Sequence, residues 1–391
     1  MINSIAIAES GLQGYEKALQ TISDNTANMN TPGFKGSTTQ FSDMAFGEQA
    51  DGGSPFGQAG DGLRSLGTSI DFSKGQMQAT SNPLDLAVNG DGFFTTRDEQ
   101  GNVHYTKDGA FKFDGEGQLV SVTSGEQVLG IDSGGALAPI SIAALKTSLP
   151  KATTSVSFSG ILSSSVQTDT VSGITVIDTS GTSHALTATL TPVTGSKGSW
   201  TVTLLDGAAT VGTGTLVFSA GGTPTGNASL PFSYTPAGGS AMALALDFSS
   251  GVTSVDIGGS STLAVAKQDG YAAGTLTGET FDSTGTLVLT YSNSQTVKQQ
   301  QLALSQFDST DQVAAAGNNA FKAVGATAWH VGTAGSGTFG TLSSSELEGS
   351  NVDLSREFSN LVIMQRGYQA CSQVVSTTSD MLTALFGMMP K

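Results

Sequence analysis

The sequence predicts a mainly β protein carried on a terminal α-helical coiled-coil stem, with its domains nested one inside another. Near the N-terminus, Ile5, Ala8, Leu12, Tyr15, Leu19, Ile22, Thr26 and Met29 recur at spacings of three and four. Near the C-terminus, Leu354, Phe358, Leu361, Gln365, Tyr368, Ser372, Val375, Ser379, Leu382 and Phe386 do the same. Such a stripe is what one helix needs to lie against another. The whole 391-residue chain has 51 Gly and only 12% charged residues, and between the two stripes short segments alternate apolar with polar, as half-buried strands do.

The first helix is expected from about Ser4 to Asn28, roughly 40 Å of rod at 1.5 Å per residue. It stops because Pro32 cannot donate to a helix and drives Thr31 out of the helical region, while Gly33 permits a left-handed turn. Residues 35–70 read as an irregular connector, turn-rich at Asp51-Gly52-Gly53-Ser54-Pro55-Phe56-Gly57. A β domain follows from Asp71. There Leu84–Val88 and Phe93–Thr96 flank Asn89-Gly90-Asp91-Gly92, a hairpin signal because Asn and Gly tolerate positive φ. That loop lacks the spaced acidic ligands of a calcium site, and no helix follows it to receive a phosphate. Asp108-Gly109 and Asp114-Gly115-Glu116-Gly117 read as further turns, and Phe93, Phe94, Phe111 and Phe113 as core or cross-strand aromatics.

An insertion rich in Ser, Thr and Gly then begins. Ile174–Ile177, Ala185–Leu190 and Trp200–Leu204 alternate as strands, divided by turns at Asp206-Gly207, Gly221-Gly222 and Gly238-Gly239, the pattern of a sandwich or barrel. From Thr275 the chain returns to the first β domain through Glu279–Asp282, Gly285–Tyr291 and Leu302–Phe307. Ser350 or Asn351 is the expected N-cap of the last helix, with Asp353 placed for the helix dipole. The resulting division is a stem of 1–31 with 352–391, a connector of 32–70 with 330–351, a split β domain of 71–145 with 275–329, and an outer inserted domain of 146–274. Within the stem, the residues expected to drive assembly are Ile5, Leu12, Leu19, Ile22, Met29, Leu354, Phe358, Leu361, Tyr368, Val375 and Leu382.

Chemistry is sparse. The formal net charge of −16 disfavours nucleic acid and anionic membranes as partners. No stretch approaches the ~18 apolar residues of a membrane span. No basic residue precedes Lys17 and the run Ile5–Ala8 is too short for a signal core, so no cleaved signal peptide is expected. The single cysteine, Cys371, excludes an internal disulfide and reads as packed. His104, His184 and His330 lie far apart, without metal-ligand spacing, and His184 reads as surface. Neither a phosphate loop nor a nucleophile elbow is present. No catalytic, cofactor-binding or metal residue is therefore expected, and the protein reads as a non-enzyme. Gln365, polar on an apolar stripe, reads equally as a register-setting or an exposed residue.

Four motifs carry a resemblance. Ser23-Asp24-Asn25-Thr26-Ala27-Asn28-Met29-Asn30-Thr31-Pro32-Gly33-Phe34-Lys35-Gly36 resembles the N-terminal signature of the bacterial flagellar rod and hook family, centred on Asn28, Asn30, Thr31, Pro32, Gly33, Phe34 and Lys35. Gly349–Leu354 with Gln365–Ala370 resembles its C-terminal signature; Asn89–Phe94 and Tyr105–Phe111 match two further motifs in order. They span roughly 1–130 and 345–391. Cys371 departs from the small polar residue usual there, and Met388-Met389-Pro390-Lys391 extends past the usual helix end. The resemblance implies a structural subunit that polymerises with itself into a hollow helical tube, a flexible universal joint outside the cell. It implies unprocessed export through the flagellar type III channel, and rod, hook-cap, hook–filament junction and export proteins as partners. The large insertion favours the hook branch over the shorter rod branch. A β-rich adhesin is the reading from another class; it would need exposed aromatic platforms, for which only Trp200 and Trp329 are available.

Overall fold

A computed structural model describes residues 2–44 and 62–388, apart from 133, 197, 227, 310–312 and 326–328. The turn-rich stretch 51–57 and the last three residues lie outside the described residues. The chain forms two compact units. The first contains Met1–Ala143, Glu279–Val288 and Lys298–Lys391; the second contains Ala144–Gly278 and Leu289–Val297.

The second unit is a sandwich. One sheet orders Asp169–Ile177, Ser183–Pro192, Ser199–Asp206, Ala209–Phe218 and Pro224–Thr225 in sequence; the other is built around Ser155–Ser163. Alternation dictates the packing: Leu186, Ala188 and Leu190 are fully buried while the threonines between them are half-buried. Both sheets send side chains into one core, where Phe158 stacks on Phe248 with centroids 4.5 Å apart. Trp200 is buried in that core, so it offers no binding platform. His184 is not a free surface residue: its Nε2 lies 3.0 Å from Asp178 Oδ2.

The first unit joins a β body to two helices, α1 (Ile2–Ala27) and α2 (Leu354–Met388). Its sheet runs through Thr296–Phe307, Gln127–Ile131, Phe93–Arg97, Val103–Thr106, Ala320–Ala323 and Val313–Gly317. Adjacent side chains on a strand point to opposite faces. Phe93 thus joins Tyr105, Val313 and Phe321 on one face, with Trp329 half-buried beside Tyr105, while Phe94 packs edge-on against Phe111 at 5.0 Å on the other.

Two expectations are corrected here. Asn89-Gly90-Asp91-Gly92 does turn, with Gly90 at φ 132° and Gly92 at 131°, but it closes no hairpin. Leu86–Asn89 pairs with Thr341–Ser344, and Phe93–Arg97 pairs with Val103–Thr106. Local turn chemistry marks a reversal of direction; it does not choose the strand's partner. The segment 35–70 is also not merely irregular. Ser37–Asp43 and Leu63–Ile70 form an antiparallel ribbon with a bulge at Gln40/Phe41. The ribbon packs on α1, where Gly14 leaves room for Leu63 and Phe41.

Five hairpin loops share one construction: Asp98–Asn102, Asp114–Gln118, Asp132–Ala136, Asp178–Thr182 and Asp282–Thr286. In each, the Asp amide donates to the carbonyl four residues on, and the fourth residue, a glycine with φ between 79° and 90°, donates back to the Asp carbonyl. The Asp carboxylate accepts the fifth residue's amide, completing the turn from the side chain.

Candidate functional site

The candidate site is the helical stem and its junction with the β body, all within the first unit. Three contacts fix the stem. A Cβ on Gly11 would lie 2.8 Å from Cys371 Sγ, and one on Gly367 would lie 2.5 Å from the Tyr15 ring. Asn25 Nδ2 donates to Glu357 Oε1 at 3.3 Å. Each step up α1 is matched by an equal step down α2, so the helices run antiparallel in constant register.

The face of α1 that is buried is Ala8, Gly11, Gly14, Ala18, Ile22 and Asn25. Of the α1 positions expected from sequence, Ile22 is buried; Ile5, Leu12 and Leu19 are half-buried along the flanks, and Met29 lies in the turn beyond the helix. On α2, Leu354, Leu361, Val375 and Leu382 are half-buried, whereas Phe358 (52% exposed) and Tyr368 (42%) point outward. Gln365, Ser372, Ser379 and Phe386 are exposed as well. The α2 stripe read from sequence therefore overlaps the face that meets α1 at Val375 and is otherwise turned away from its centre, where Glu357, Met364, Gly367, Cys371 and Thr378 lie. The two glycines belong to this face because each makes room for a side chain of the other helix, Cys371 over Gly11 and Tyr15 over Gly367, and a stripe chosen by side-chain size passes over them.

The junction is polar and closed. Lys35 Nζ donates to Glu348 Oε1 at 2.6 Å and to Ser73 O at 2.7 Å, with 0% and 1% side-chain exposure for the ion pair. Glu348 Oε1 also accepts the Gly75 amide at 2.9 Å, and the Glu348 carbonyl accepts the Gly33 amide at 2.7 Å. Asn351 does not cap α2. Its Oδ1 accepts Gly36 N at 2.8 Å and its Nδ2 donates to Asp71 O at 2.7 Å, tying the motif loop to the body. The cap is Asp353, whose Oδ1 accepts the amides of Ser355 (2.8 Å) and Arg356 (3.3 Å). The Ser73 amide bonded to Asp71 holds that carboxyl below its ordinary value.

The motif residues build the loop that enters this junction. Asn28 Oδ1 accepts Thr31 Oγ1 at 3.2 Å, and Pro32 O accepts Asn319 Nδ2 at 3.0 Å. Gly33 adopts φ 69° and presses against the Lys107–Asp108 backbone, where any Cβ would collide. Phe34 is half-buried and Asn30 exposed. Sequence reasoning missed Gly11, Gly367, Glu348 and Glu357. The two glycines inside otherwise helical stripes were a usable signal of close approach; the acidic residues carried none. Among the described residues no group of His, Cys, Asp and Glu could hold a metal ion, and no helix is long and apolar enough to cross a membrane.

Comparison with known proteins decides the family. The profile described as "Flagella basal body rod protein" matches residues 5–35, "Flagellar hook protein FlgE/F/G D1 domain" matches 87–163, and "Flagellar basal body rod FlgEFG protein C-terminal" matches 343–388. The chain is 32% identical over 406 residues to the flagellar hook protein FlgE of Escherichia coli (strain K12), covering 97% of this chain and 98% of that protein. The chain belongs to the flagellar hook protein family. The FlgE hook protein of Salmonella typhimurium is 30% identical over 419 residues, covering 98% of this chain and all of that protein. The basal-body rod protein FlgG of Buchnera aphidicola (subsp. Schizaphis graminum) is 37% identical, but over 130 residues, 31% of this chain and 50% of its own length. The hook branch therefore spans the chain end to end and the rod branch only a part of it.

Proposed function

We propose that this hook subunit polymerises through its terminal helices into a hollow tube that couples rod to filament as a universal joint. The observation that carries the reading is the apolar area that α2 leaves exposed on the flanks of its contact with α1. Phe358, Val362, Ile363, Val374, Met381 and Leu385 are between 44% and 61% exposed, on a helix whose other face is already occupied by α1. The exposed face of α1 offers Gln13, Glu16, Lys17, Gln20 and Asp24, with Ile7 (38%) as an exposed apolar residue near its start. A subunit with one such helix leaves apolar area that a neighbouring copy covers, at about 25 cal/mol per Å² removed from water. Repeated without closure, that contact makes an open helical filament.

In this reading Ile5, Leu12, Leu19, Ile22, Leu354, Leu361, Val375 and Leu382 hold the stem together, and Phe358 and Tyr368 face the neighbour. The stem is 1–31 with 352–391, joined through 32–70 and 330–351 to the split β domain and the outer insertion. The Ser/Thr/Gly-rich insertion makes weakly apolar contacts that slide as the tube bends. Subunits leave the cell unprocessed through the flagellar export channel and meet rod, cap and junction proteins at the tube ends. The test is electron microscopy of the full chain beside a version lacking 1–31 and 352–391, each with the cap protein. Tubes from the full chain and monomers from the truncation support the reading; tubes from the truncation overturn it.

A further inference from the structure

Beneath the motif loop two nearly buried lysines stand beside one nearly buried glutamate. Lys35, Lys107 and Glu348 are 4%, 6% and 1% exposed. The single carboxylate is committed through Oε1 to Lys35 and the Gly75 amide, while Oε2 has no hydrogen-bond partner. Lys107 makes no hydrogen bond to any described residue; its ammonium sits over the Phe93 ring, 5.1 Å from the centroid. An aromatic face attracts a cation but replaces little of its hydration. Glu348 is paired with Lys35, and Lys107, a nearly buried residue whose Nζ still reaches solvent, is left without a carboxylate partner.

We propose that Lys107 makes the junction a proton-sensitive clamp, holding the motif loop loosely as an ammonium and tightly as a neutral amine. The loop meets this residue in two ways: Gly33 packs on the backbone of Lys107 and Asp108, and the loop's own Lys35 opposes the Lys107 charge. Deprotonation removes the uncompensated charge and leaves Lys35 and Glu348 as a closed pair. The charged groups that bear on Lys107 are Glu348 and Asp91, which favour the ammonium, and Lys35 and Lys74, which oppose it. Asp108 is engaged by Thr123 and the Ala110 amide. Burial is the largest influence and pulls the Lys107 amine down to about 8 from an ordinary 10.5. When the loop opens, water restores the ordinary value. A lysine depressed in the closed state makes closure more favourable as pH rises through that range, by about tenfold between pH 7 and pH 9.

The test is hydrogen exchange read by mass spectrometry on peptides covering 31–36 and 346–351 of the full chain, corrected for the intrinsic pH dependence of exchange. Wild-type protection is expected to rise about tenfold from pH 7 to pH 9. Lys107→Met should be protected at pH 7 and flat with pH; Lys107→Arg should stay poorly protected at both. A flat wild-type profile, or a Lys107→Met profile that tracks the wild type, overturns the proposal. A carbon-13 titration of the wild-type lysine side chains decides the matter without a variant. One lysine with its midpoint near 8 is expected, and all of them at the ordinary 10.5 would overturn it.

Discussion

Gly11 and Cys371 meet across the two stem helices, with the sulfur occupying the space a Gly11 side chain would need. Gly11→Ala should gain about 1 kcal/mol of helix propensity and lose about 1–3 kcal/mol to overpacking. Far-UV circular dichroism melts of the stem should show a net loss. With Cys371→Ala as well, the clash disappears and the double variant should exceed the sum of the singles. Additive effects would mean that the two residues do not touch.

Glu348 is the acceptor on which the motif loop, residues 73–75 and the approach to α2 converge. Glu348→Ala leaves the Lys35 ammonium buried and alone, which should cost about 3–5 kcal/mol in urea unfolding. Lys35→Met combined with Glu348→Leu should cost much less, because no charge is stranded. Equal losses for the single and the pair would argue that the ion pair is incidental.

The stem helices and the strands of the insertion were legible because each rests on a period, which leaves sandwich and barrel alike open for the insertion. Val202 and Leu204 lie buried on alternate positions of Ser199–Asp206, as the alternation requires. The rotation of α2 was not legible, because Val362, Ile363, Val374 and Met381 make that helix apolar on more than one side. A helix that serves two partners has two stripes, and periodicity alone cannot assign them. The junction was half legible. The motif drew attention to Lys35, but Glu348 lies 313 residues away and only the fold brings it within 2.6 Å. The partners of Leu86–Asn89 were hidden for the same reason.

The Asp282 loop predicts an acid limb. Burial raises the Asp282 carboxyl, but bonds from Thr284 Oγ1 (2.6 Å), the Thr286 and Thr284 amides and Lys298 outweigh it and hold it at about 2. A carboxyl lowered in the folded state stabilises fully above its unfolded value of 3.8, and that contribution fades as pH falls through about 2. The melting-temperature gap between wild type and Asp282→Asn should therefore be wide at pH 6 and narrow at pH 2. A gap independent of pH would assign the loop's stability to its backbone alone.

Removing 146–274 should leave subunits that still assemble, into tubes whose bending stiffness differs from that of the wild type in electron micrographs. Complete loss of assembly would contradict the sliding role given to the insertion.

The most direct test of the account is to place charge on the free face of α2. Ile363 and Met381 are 61% and 54% exposed in the single subunit. Ile363→Glu with Met381→Glu should leave the subunit's melting curve unchanged and abolish tube formation. Tubes of normal length from that variant would show that α2 is not the surface through which subunits join.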